Sequence, residues 1–183
     1  MNSPEAELLI HDHAELGDLL AQLIAALKAN DIARSHATLD LFWARLAIHI
    51  RAEHLHLFPA ISAAIKANPG FSDDTVDPLE PQKLIVVLRD DHNFFMRELT
   101  DAIVILRRLV NEPEPDAALL ADVLKTIDGV RARLVKHNQI EEQGVYLWTS
   151  TLLTQADQVE LVAKVHKELE NMPPRFRGAR LEQ

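Results

Sequence analysis

Two residue pairs in this chain have the type and spacing of metal ligands: His49 with Glu53, and His137 with Glu141, each a His-x-x-x-Glu. On a helix a four-residue step brings both side chains to one face, about 40° apart. Each pair lies in an otherwise apolar stripe, where an unpartnered carboxylate is costly to bury. His13 and His92 interrupt two further apolar stripes in the same way. Four imidazoles and two carboxylates converging in an apolar interior form an N/O ligand set. It suits iron, manganese or zinc, and it could hold two ions bridged by carboxylates.

Composition narrows the chemistry further. The 183 residues include no Cys, which excludes a disulfide framework, an iron–sulfur cluster, a thiolate zinc site and a Cys nucleophile. Only 5 residues are Gly, which argues against a turn-rich all-β fold or a Gly-rich nucleotide loop and suits long helices. The net charge of −9 disfavours nucleic acid as a partner. Met1 to Ile10 carries no basic n-region, and no apolar run approaches the ~20 residues of a membrane span. The expectation is a soluble cytoplasmic protein with no membrane partner; a protein partner or a homodimer stays open.

The elements that must position these residues can be read from sparse punctuation. Ser3-Pro4 starts a helix that runs to about residue 28, and Asn30-Asp31 turns the chain into a second helix reaching about residue 67. Asn68-Pro69-Gly70 ends it, and an acidic loop follows through Asp73, Asp74, Asp77 and Pro78. Third and fourth helices are predicted over 79–110 and 117–148, and a shorter fifth over 155–171 before Pro173-Pro174 and a basic tail. Short connections between four long helices predict an all-α, up-down-up-down four-helix bundle over 1–150, with an additional C-terminal helix and tail over 151–183.

The predicted stripes are Leu9, His13, Leu16, Leu20, Leu23, Leu27; Leu39, Phe42, Leu46, His49, Glu53, His56, Ala60; Ile85, Leu88, His92, Phe95, Leu99, Ile103, Leu106, Val110; and Leu120, Val123, Ile127, Val130, Leu134, His137, Glu141, Val145, Trp148. They contain an internal repeat. Asp12-His13 matches Asp91-His92, and His49 to Phe58 matches His137 to Tyr146, with Glu at the fifth position and an aromatic at the tenth. A structural His–Glu pair on each helix is the competing reading; it does not explain why all four stripes are broken near mid-length, in repeat register. His11, about 200° from His13, reads as exposed. His36 and His166 have no matching partners and read as surface residues. His54 and Glu142, one position off the stripe, read as rim or supporting groups.

On these residues the chain resembles the hemerythrin-like proteins of the HHE cation-binding family. The resemblance rests on Asp12-His13, His49 to Glu53 with Leu57-Phe58-Pro59, Asp91-His92, and His137 to Glu141 with Tyr146, and it covers about residues 5 to 150. It implies a four-helix bundle holding two non-haem iron ions with an oxo or hydroxo bridge; manganese and zinc rank behind iron. It makes His13, His49, His92 and His137 terminal ligands and Glu53 and Glu141 bridging carboxylates. Oxygen-carrying hemerythrins add a second His on the third helix, at the position held here by Met96. His56 is the best replacement from the stripe, opposite Gly144 in the repeat, and Tyr146 is the weaker one. The family's iron–sulfur repair members carry an added Cys-containing domain, which this chain lacks. Glu53 and His56 also make one Glu-x-x-His of the ferritin-like type, but its second copy fails at Gly144.

The function expected is binding of, or reaction with, a small ligand: oxygen, nitric oxide or peroxide. Leu16, Leu20, Phe95, Met96 and Leu99 would wall the site against water, and Gly17 would leave room for the ligand. The alternative is an iron-responsive regulatory or iron-storage module without catalysis, and a metal-free scaffold is the third possibility.

Overall fold

The computed structural model describes residues 3–71 and 81–176. Pro4 occupies the first turn of α1 (Pro4–Lys28), where its missing N–H costs nothing. Ser3 does not cap this helix; its hydroxyl lies 2.8 Å from that of Thr149. Asn30, at φ 55°, makes the tight turn that leads to Asp31, whose carboxylate caps α2 (Ile32–Ala52) by accepting from the Arg34 N–H. The helix continues through a π-helical turn, Glu53–Leu57, into α3 (Phe58–Ala67).

Helix α4 spans Pro81–Leu109, and Asp116 caps α5 (Ala117–Ile140). A second π-helical turn, Glu141–Val145, leads into α6 (Tyr146–Leu152). A reciprocal Thr154–Asp157 capping box starts α7 (Gln155–Leu169). Among the described residues there is no strand. None of the described helices is long and apolar enough to cross a membrane. The acidic loop expected at Asp73 to Pro78 and the tail from 177 onward lie outside the described residues.

Helix α1 packs on α2, α2 on α4, α4 on α5, and α5 again on α1, while α7 lies against α1 and α2. The expected C-terminal helix is thus part of the same body, with Leu161 and Val165 buried. Two apolar clusters fill the interior. One runs from Leu16 to Leu27 with Phe42, Phe95, Leu106 and Ile127; the other gathers Leu9, Leu57, Phe58, Ile61, Leu88 and Trp148. The histidines lie where these clusters meet. His13 is between Leu9 and Leu16, and His92 between Leu88 and Phe95, so a polar layer divides the core.

The π turns correct the sequence reading of one stripe and add to another. Each adds one residue to a turn, which rotates everything after it by about 100°. Beyond Glu53 the buried residues are Leu57, Phe58, Ile61 and Ile65, not His56 and Ala60. Beyond Glu141 the expected Val145 and Trp148 are buried, and Tyr146 and Thr149 join them. Both interruptions begin at the Glu of a His-x-x-x-Glu motif, so the repeat extends to the backbone itself.

Candidate metal centre

The structure brings His13, His49, Glu53, His92, His137 and Glu141 together in the polar layer, none of them more than 6 % exposed. Their imidazoles form two pairs: Nε2 of His13 is 3.1 Å from Nε2 of His49, and Nε2 of His92 is 2.9 Å from that of His137. Two sets of donor atoms could hold a metal ion, His13–His49–Glu141 and His92–His137–Glu141, each with its atoms within 4.8 Å of one another.

Both carboxylates reach both pairs. Glu141 Oε2 is 3.5 Å from His13 Nε2, while its Oε1 is 3.1 Å from His137 Nε2. Glu53 Oε1 is 3.6 Å from His49 Nε2, and its Oε2 is 3.3 Å from His92 Nε2. Glu53 Oε2 and Glu141 Oε1 are buried without a hydrogen-bond partner. Folding rarely leaves a carboxylate oxygen without a hydrogen bond, and here only the charge of nearby imidazoles offsets its burial. A cation shared by these oxygens and the Nε2 atoms would satisfy them, so the donors present fit an N/O-ligated metal.

The outward ring nitrogens are tied down, which aims each Nε2 inward. Asp12 Oδ2 lies 2.9 Å from His49 Nδ1, and Asp91 Oδ2 lies 3.1 Å from His137 Nδ1. Arg45 donates to Asp12, and Arg133 donates to Asp91. His13 Nδ1 is 2.8 Å from Glu142 Oε1, and His92 Nδ1 is 2.8 Å from His54 Nε2. His54 and Glu142 are therefore supporting groups, as their off-stripe positions suggest. The Asp–His and Arg–Asp links are not assigned by the sequence reading. Their signal is an Asp just before each lone His, and an Arg-Leu pair whose Arg stands four residues before each paired His.

Tyr146 completes the layer. Its hydroxyl donates to Glu53 Oε1 at 2.7 Å and lies 3.2 Å from His13 Nε2 and 3.4 Å from Glu141 Oε2. The sequence ranked it behind His56, and the π turns reverse that order. His56 lines a separate groove of about 480 Å³ beside Leu161 and Lys164, between α3 and α7. Gly17, expected to open space for a ligand, is exposed, and a Cβ there would meet nothing within 4 Å. Leu16, Leu20, Phe95 and Leu99 are buried beside the layer, and half-buried Met96 packs on the same cluster. His11 and His166 are exposed, whereas His36 is half-buried.

The buried charges respond to one another. Burial depresses the His137 imidazole, but the Glu141 charge and the Asp91 bond outweigh it and lift its pKa to about 10. His49 is also opposed by burial, yet the Glu53 charge and the Asp12 bond raise it well above 6.5. His92 falls well below 6.5, because burial and the nearby His137 and His54 outweigh the pull of Glu141. Burial of Glu141 is overcome by His137 and His13, which hold its pKa well below the usual carboxylate range. Glu53 moves up, through burial and the Glu141 charge. Tyr146 keeps its proton well above pH 10, because burial is reinforced by both carboxylates. A metal entering this layer must displace protons from His49 and His137.

Fold and site together define an all-helical protein whose buried His/Glu groups could hold metal. No family model, curated protein or solved structure matches the chain.

Proposed function

We propose that α1, α2, α4 and α5 form an up-down-up-down bundle of the hemerythrin-like kind around a non-haem di-iron centre, which binds or reacts with oxygen, nitric oxide or peroxide. The observation that carries this reading is the arrangement of six buried groups. Four imidazoles turn Nε2 inward with Nδ1 anchored outside, and two carboxylates each span both imidazole pairs. When bound, two irons supply electrons and an open position for such a ligand.

The chain's own residues do the rest. Leu16, Leu20, Phe95 and Leu99 exclude water, and the Phe95 ring meets His137 edge-on at 5.3 Å. Tyr146 keeps its proton at its hydroxyl, 2.7 Å from Glu53 Oε1, where it can hydrogen-bond a ligand developing negative charge. The unpartnered carboxylate oxygens also make metal a source of stability, which an iron-responsive or storage module would exploit.

The test is metal analysis of anaerobically purified protein, with an absorption spectrum before and after air. Two irons per chain and charge-transfer bands on oxidation are expected. Iron-free protein that cannot be reconstituted, with His49→Ala leaving stability unchanged, would overturn the reading. Iron-dependent stabilisation with no spectral response to oxygen, nitric oxide or peroxide would favour the module.

A further inference from the structure

We infer that the two donor sets take up metal unequally: the His13–His49 set binds first and tightly, and the His92–His137 set second and more weakly. Glu142 and His54 are the positioning residues that set this order. The inference rests on the metal-binding reading above and adds to it an assignment of affinity to each half.

Two differences point the same way. The first is in the outer partners. The repeat aligns Glu142 with His54, and each reaches the Nδ1 of a lone imidazole, Glu142 that of His13 and His54 that of His92, both at 2.8 Å. A carboxylate in this place makes the imidazole a stronger donor to a cation, whereas a neutral imidazole brings no charge. With Asp12 on His49, the first set has two outer carboxylates; with Asp91 on His137, the second has one.

The second difference is the aromatic at the repeat's tenth position. Tyr146 stacks on His13 at 5.6 Å and places an oxygen 3.2 Å from its Nε2. Phe58 stacks on His92 at 6.0 Å and offers no donor. The first set therefore has more outer negative charge and an extra oxygen beside His13. Met96, one turn beyond His92, packs into the leucine cluster.

The experiment is an anaerobic titration of the metal-free full chain with Co²⁺, followed by calorimetry and visible absorption. Two steps are expected, with dissociation constants ~10–100-fold apart, the range that an outer partner commands. His49→Ala should remove the tight step and His137→Ala the weak one. Glu142→Gln should weaken the tight step by about tenfold or more and leave the other unchanged, and His54→Glu should strengthen the weak step. These last two side chains sit at the rim, so they carry the test if the buried alanine variants do not fold. Two ions bound with equal affinity, or Glu142→Gln weakening both steps alike, would overturn the ordering alone. No cobalt uptake would overturn the metal centre itself.

Discussion

In the first half of the molecule Asp12 of α1 bonds His49 of α2, with Arg45 holding Asp12. In the second, Asp91 of α4 bonds His137 of α5, with Arg133 holding Asp91. The π turns then cross between the halves. Glu142 and Tyr146 of the second half serve His13 of the first, and His54 and Phe58 of the first serve His92 of the second. The links within each half are the same in residue type, and the crossing links differ at both positions. The comparison teaches that the repeat builds a common frame, and that any inequality between the two sites comes from the residues exchanged across it.

The comparison breaks most completely at the residue both donor sets share. Glu141→Gln should lower metal content at both sites, by more than the ~10–100-fold that loss of an outer partner costs; quantified metal per chain checks this. A loss confined to one site would mean that Glu141 does not join the halves. The pH dependence of the metal-free protein should be next in size. His137 titrates near 10 when folded, against an ordinary 6.5. Its stabilising share is complete below pH 6.5 and is lost as pH rises through about 10. Metal needs the neutral imidazole, so affinity should rise over the same window. Denaturation and metal titrations across that window should move in opposite directions.

Asp12→Asn and Asp91→Asn should each weaken metal at their own histidine pair by ~10–100-fold, and little at the other. Site-resolved titration reads the difference. Tyr146→Phe makes the two halves alike at the tenth position and strips a hydrogen bond from buried Glu53. It should cost the metal-free protein about 1–3 kcal/mol in chemical denaturation. The smallest effect belongs to His56→Ala, which should leave metal content unchanged and stability within about 0.5 kcal/mol.

Much of the site was legible from residue types and spacing. The six central His and Glu residues and the off-stripe places of His54 and Glu142 follow from interrupted stripes and repeat register. The errors at His56, Ala60 and Tyr146 share one cause. A stripe assumes a constant 100° per residue, and a π turn breaks that phase without leaving a mark in side-chain polarity. Gly17 was misplaced for a different reason: smallness alone does not say which face of a helix a residue occupies.

The sequence by itself narrowed any metal donors to His and carboxylates, because there is no Cys, and it determined which helices carry them, because helical periodicity is local. The tertiary structure alone decided which ring nitrogen meets which carboxylate, and that Tyr146 rather than His56 enters the layer. Those outcomes depend on where one helix lies against another and on a backbone insertion that packing must support. Residues far apart in the chain, such as His13 and Glu142, meet only when the halves close on each other.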